Sequence, residues 1–194
     1  MNENLLGDQN IYTHPSDSFI MSELRRSGIM TWDFIPRICC KYAEIRMIQP
    51  LGNDIHIVER SMLDQYVFAL INKDGWFEIE DLLDTDDTLD HEDTILNLEK
   101  QLNIDKYMII RLKSDDFINN IVTDPNFWDS KRCDTFGSME QYYKLQDMFI
   151  DNYKYCLNKM GRLDRLYEIN IDDTTADPTE ITCKIINEVK KIIN

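Results

Sequence analysis

Glycine and basic runs are what this sequence has least of. There are only 6 glycines in 194 residues, at positions 7, 28, 52, 75, 137 and 161, and none is followed by lysine. A phosphate-binding loop of the form G-x-x-x-x-G-K-[ST] is therefore absent, and with it the main-chain cradle and lysine that neutralise a nucleotide's phosphates. No run of Lys or Arg exceeds two, and 36 acids against 21 bases leave a formal net charge of −15. Such a surface repels nucleic-acid backbones, so no nucleic-acid partner is expected. Cysteine is sparse and odd in number: Cys39, Cys40, Cys133, Cys156 and Cys183, with no C-x-x-C. That pattern excludes a disulfide framework and fits reducing cytosol. His14, His56 and His91 stand far apart with no ligand ladder, so no metal site is expected. No apolar stretch approaches 18 residues, and the N-terminal MNENLLGDQN has neither a basic start nor an apolar core. Membrane insertion and a signal peptide are not expected, which points to an intracellular protein of the cytoplasm, of a host cell or of a virion.

What is present is the balance of a globular domain: 43% apolar and 29% charged residues, enough for one core. A single domain over residues 1–194 is expected. Alanine occurs three times while Ile, Asn, Asp and Lys abound, a pattern of AT-rich coding in a microbe, phage or large DNA virus.

Strand and helix patterns alternate along the chain. A short β-like run at 10–13 ends at His14-Pro15. Ser16 and Asp17 can cap a helix that Gly28 stops. The spacing predicts a helix over 31–49, a strand over 54–59, and a helix from Ser61 to about Lys73. Residues 78–93 hold nine acids and no Lys or Arg, the composition of a solvated helix end and loop, and lack calcium-loop order. A helix at 92–103, a buried strand at 106–112 and a short helix at 115–122 follow, then an irregular loop over 124–137. The long helix 138–160 ends at Gly161. Leu166–Ile171 is the last strand, and Asp177-Pro178-Thr179-Glu180 is a capping box for a final helix. This alternation predicts an α/β fold, a three-layer mainly parallel sheet. Ligands in such sheets sit outside the carboxyl ends of strands, here Glu59-Arg60-Ser61, Lys113-Ser114-Asp115 and Asp172-Asp173.

Glu59-Arg60-Ser61 is chemically the richest of these. A carboxylate and a guanidinium there can hold a sugar hydroxyl and a phosphate oxygen; a purely structural strand-end ion pair fits equally. Both side chains are expected to be buried and bonded to each other or to neighbouring main chain. Tyr142, Tyr143, Phe149, Tyr153 and Tyr155 read as the core and rim of a helix, Cys39-Cys40 as helix packing, and His56 as a satisfied core histidine.

The stretch Ile57–Ala69 resembles the [DE]-R-S segment of the deoxynucleoside kinases, the thymidine kinase 2 and deoxyguanosine kinase family. Trp32-Asp33-Phe34-Ile35-Pro36-Arg37 resembles the helix that walls that family's nucleoside pocket. Tyr12-Thr13-His14-Pro15 is similar to its strand-end T-E-P, Asp105–Leu112 to a later core strand, and Tyr167–Asp172 to the last one. Lys131 and Arg132 stand where its basic lid would be. The order is collinear over roughly residues 10–172.

The resemblance implies a sheet like that of a P-loop nucleoside kinase. It implies substrate contacts from Trp32, Arg37, Glu59 and Arg60, and a lid from Lys131 and Arg132. The departures are as informative. The phosphate loop is missing, the catalytic carboxylate corresponds to His14, and the pocket glutamine corresponds to Arg37, which has no acceptor for a base edge. Tyr12 already aligns with the family's second strand, although the strand before the phosphate loop stands in the middle of that sheet. The expectation is a catalytically inactive protein without cofactor, acting as a binding or structural subunit of a homo-oligomer or larger assembly, with a nucleoside as a possible ligand. The alternative is an active kinase, using ATP and magnesium, completed by a further N-terminal segment or a partner chain.

Overall fold

In the computed structural model of the chain, the residues described are 11–14, 34–48, 55–73, 89–113, 139–172 and 177–193. Chain contacts divide it into two units, Met1–Asp74 with Glu80–Asn103, and Gly75–Ile79 with Ile104–Asn194.

In the first unit, strand β1 (Ile11–His14) pairs in parallel with β2 (Ile55–Val58), from Ile11 opposite Ile55 to His14 opposite Val58. Among the described residues three helices accompany the pair: α1 (Phe34–Ile48), α2 (Met62–Asn72) and α3 (Glu92–Gln101). The expected helix from Ser61 forms because Ser61 and Asp64 make a capping box. Ser61 Oγ accepts from Leu63 N–H at 3.1 Å, and Asp64 Oδ2 accepts from Ser61 N–H at 2.5 Å. The apolar run that follows lets α2 bury Met62, Leu63, Tyr66, Val67, Ala69 and Ile71. A helix buried over so much of its circumference belongs at the centre of a core. It packs against α1, through which Ile38 and Ile45 are buried, and against α3, which contributes Ile95 and Leu96. Tyr42 of α1 donates its hydroxyl to Gln101 Oε1 at 2.9 Å. Glu99 continues the buried stripe of α3 one turn after Ile95 and is fully buried.

In the second unit, β3 (Tyr107–Lys113) pairs in parallel with β4 (Leu166–Asp172), residue for residue from Tyr107 opposite Leu166 to Lys113 opposite Asp172. Parallel strands need a long crossover, and here it contains α4 (Met139–Met160). α4 closes with a left-handed Gly161 (φ 69°). Arg162 N–H bonds Leu157 C=O at 2.8 Å and Gly161 N–H bonds Asn158 C=O at 3.0 Å, a Schellman stop. A 3₁₀ turn (Leu163–Arg165) leads into β4, and Arg165 Nη1 donates to Ile104 C=O at 2.7 Å.

β4 alternates cleanly. Ile169 and Ile171 are buried while Glu168, Asn170 and Asp172 are exposed. The buried face meets α5 (Pro178–Ile193), whose Ile181, Ile185, Val189 and Ile192 line up at helical spacing over Ile169, Ile171, Met108 and Leu112. Asp177 caps α5, accepting from Thr179 N–H at 2.8 Å. Lys106 ties down the far end by donating to Ile192 C=O.

Among the described residues the strands form two parallel pairs, β1–β2 in the first unit and β3–β4 in the second, so the chain is mixed α/β. Two sequence-based expectations change. β3 is not a fully buried strand: Tyr107 is buried but Ile110 is 45% exposed, and among the described residues β4 is its one strand neighbour. His56 is half-buried and stacks on its register partner Tyr12, ring centroids 5.2 Å apart and planes 16° apart. It belongs to the face of a two-stranded ribbon and not to a core. The helices expected at 16–27 and 115–122, the acidic run up to residue 88 and the loop 124–137 lie outside the described residues.

Candidate functional site

The parallel register of β1 and β2 brings their carboxyl ends to one edge. His14 stands opposite Val58, and Glu59-Arg60 follow directly. Arg60 is the one non-glycine residue with positive φ among those described, at 63°. That left-handed turn lets the chain leave β2 and enter α2 across three residues, Glu59 to Ser61, at a cost of about 1 kcal/mol for a residue with a Cβ. The guanidinium of Arg60 lies over the Phe68 ring, 5.8 Å from its centroid, where the ring's negative face offsets part of that cost.

Burial of Glu59 and Arg60 is not what the structure shows: both are exposed. The reason is the turn itself. Val58 is the last residue of β2, and the left-handed residue that follows Glu59 carries both side chains past the end of the strand rather than into its flanks. The main chain at Glu59 is tied nonetheless. Lys41, from α1, donates Nζ–H to Glu59 C=O at 3.1 Å.

Lys41 was not among the residues the sequence singled out, and it is the most perturbed base of this cluster. Burial pushes its ammonium below the ordinary lysine range. Glu44, Asp64 and Glu59 oppose that shift and Arg60 adds to it. Glu44, one turn along α1, is raised by burial, with Lys41 opposing. The available signal was helical spacing: Arg37, Lys41 and Glu44 recur at intervals of four and three on a helix whose other residues include buried Ile38 and Ile45. The cluster thus combines a half-buried ammonium, a guanidinium, exposed carboxylate and an acidic α2 cap at one strand end. Chemically it suits a polar ligand with both hydroxyl and anionic groups.

His14 is brought to this edge by its backbone register, and Arg37 lies on α1 one turn before Lys41. Trp32, Lys131 and Arg132 lie outside the described residues. Cys39 is exposed, so it does not pack as expected. Cys40 is half-buried, and burial raises its thiol pKa, which disfavours the reactive thiolate. On α4, Tyr153 is buried and stacks with Phe149, centroids 6.3 Å apart, while Tyr155 is exposed with Lys159 over its ring. The expected division into core and rim holds there. Among the described residues no three His, Cys, Asp or Glu side chains are grouped to hold a metal ion, and no helix is long and apolar enough to cross a membrane.

A groove of about 510 Å³ lies between the carboxyl end of β4 and α5, lined by Asn170, Asp172, Lys184, Asn187, Lys190 and Lys191 among others. It is an open groove whose lysines are partly committed, Lys191 to Glu188 at 2.5 Å. The β2 edge is the stronger candidate because its groups converge from α1, α2 and the strand end.

Comparison with protein-family models, with curated proteins and with solved structures gives no match.

Proposed function

We propose that this chain is a deoxynucleoside-kinase-like protein that has no phosphate-binding loop, does not transfer phosphoryl groups and works by binding, within an oligomer or larger assembly. The observation that carries the proposal is the β1–β2 register, which aligns His14 with the end of β2 so that His14, Glu59, Arg60 and Lys41 belong to one strand-end edge. Ligands of parallel α/β proteins bind at such edges. Both strand pairs are parallel and joined by helix-containing crossovers, which supports a nucleoside-kinase sheet without being particular to it. A three-layer arrangement with its middle strand missing is part of the proposal, as are ligand contacts from Trp32 and Arg37 and a lid from Lys131 and Arg132. A nucleoside is the proposed ligand: Glu59 would accept from a sugar hydroxyl, and Arg60 would meet the 5′ end. Without the glycine-rich loop and its lysine, the charge of a phosphoryl-transfer transition state has no preorganised cradle.

Two measurements test this. Incubation with ATP, magnesium and each of the four deoxynucleosides should give no product above a protein-free control. Product that Arg60→Ala abolishes would establish an active kinase instead. Titration calorimetry with the same deoxynucleosides should give heat of binding that Glu59→Gln weakens about tenfold or more, the loss of one charge-assisted hydrogen bond. No binding to any of the four removes the nucleoside and leaves a purely structural subunit.

A further inference from the structure

The edge of β3 that faces away from β4 is occupied by a side chain. Gln146, on α4, accepts the N–H of Leu112 at Oε1 (3.0 Å) and donates Nε2–H to the C=O of the same residue (3.0 Å). A strand turns the N–H and C=O of one residue to one side and those of the next to the other. Leu112 is therefore an edge-facing residue, and Arg111 and Lys113 face β4. A glutamine amide carries the same donor and acceptor as a peptide group, so this paired contact reproduces what an adjacent strand would make at that position. The next residue of α4 reinforces it. Asp147 forms an ion pair with Arg111, so consecutive helix residues hold consecutive strand residues. Both Gln146 and Leu112 are part-buried, where an unpaired main-chain group is costly.

We infer that Gln146 takes the place of a neighbouring strand at Leu112, on the edge of β3 that has no strand partner among the described residues, and closes that position to strand addition. The inference stands on this geometry and does not depend on the nucleoside reading. It has a direct consequence for assembly. A strand supplied by another chain cannot seat beside Leu112 until the amide of Gln146 is displaced, so association of this protein does not extend β3 at that position. Covering an edge with a helix is one of the ways proteins avoid edge-to-edge pairing.

Amide hydrogen exchange, followed by NMR on the full chain, tests it. In the wild type the Leu112 amide should be protected to the same degree as the ladder amides of β3 and β4. In Gln146→Ala it should exchange on the order of tenfold faster, the value of one lost hydrogen bond, while Ile169 and Ile171 hold their rates. Gln146→Glu keeps the acceptor and loses the donor, so Leu112 should stay closer to wild type than in the alanine variant. Light scattering should show Gln146→Ala gaining mass with concentration relative to wild type, as the edge opens to a second copy. An unprotected Leu112 amide in the wild type overturns the inference. So does an unchanged Leu112 rate in a folded Gln146→Ala. If the alanine variant does not fold, the wild-type rate and Gln146→Glu decide.

Discussion

Arg60 holds the least comfortable backbone position described in this chain, and its cost is testable. At φ 63° a glycine is free of the Cβ clash that a side chain suffers. Arg60→Ala keeps that clash and loses the contact with Phe68, so it should destabilise by roughly 0.5–1 kcal/mol, the range for an exposed cation–π pair. Arg60→Gly loses the same contact but relieves the clash. It should be the more stable of the two by about 1 kcal/mol, read from urea midpoints. Equal midpoints would mean that the turn relaxes without strain. Lys41 makes a second prediction, in pH. Its folded pKa lies below the unfolded value because burial disfavours the ammonium. Between those two values the unfolded chain binds more protons, so stability rises as pH climbs toward the ordinary lysine range and falls as pH drops through the folded value. Lys41→Met should flatten that part of the curve. Tyr142 acts in the opposite sense: burial raises its pKa, so stability declines above about pH 10 as the unfolded phenol ionises first. Comparing Lys41→Met with wild type at each pH cancels the tyrosine contribution.

At the scale of elements, caps and stops decide where helices begin and end. Ser61 and Asp64 start α2, the helix that carries most of the first unit's core, and they do so at the strand end that bears Glu59 and Arg60. Ser61→Ala should cost about 1 kcal/mol, and Ser61→Asp should recover most of it, because aspartate is an equally good cap. If the alanine variant is neutral by chemical denaturation, the cap does not hold α2 in place. Gly161 is the complementary case. A Cβ there would meet nothing within 4 Å, so Gly161→Ala should cost only its backbone strain, about 1 kcal/mol. These boundaries were legible from residue types alone: the helix start at Ser61, the capping box at Asp177, the stop at Gly161 and the strand Leu166–Ile171 each depend on residues close to themselves. Burial of β3 was not legible. A continuous apolar run such as Met108–Ile110 reads the same whether a strand has one neighbour or two, and its neighbours are decided by distant chain.

For the whole molecule, charge sets the terms of association. A net charge of −15 on 23.1 kDa disfavours indiscriminate contact at low salt. Raising ionic strength from about 20 to 200 mM shortens the Debye length from over 20 Å to under 10 Å. Both the urea midpoint and the mass by light scattering should therefore rise with salt if the proposed assembly forms through side-chain surfaces. A mass that stays at 23 kDa at high protein concentration and high salt, with no co-purifying partner, would refute the oligomer. The tertiary arrangement corrected the site without dissolving it. Glu59 and Arg60 are exposed rather than buried because β2 ends one residue before them. Lys41, which the chain order places eighteen residues before Glu59, becomes its neighbour through the packing of α1.

What the amino-acid order determined by itself is local: which segments are helix or strand, where they are capped, that no glycine-rich phosphate loop is present, and that the net charge is −15. Those properties follow from each residue's own dihedral freedom, periodicity and charge. Only the tertiary structure decided the pairings: that β1 lies parallel to β2 with His14 at the edge of Glu59 and Arg60, that a lysine of α1 holds that edge, and that Gln146 bonds both main-chain groups of Leu112 on β3. Each is a contact between residues many positions apart, made because main-chain donors and acceptors at strand ends and edges must find partners once water is excluded, and composition and spacing do not say which distant side chain will supply them.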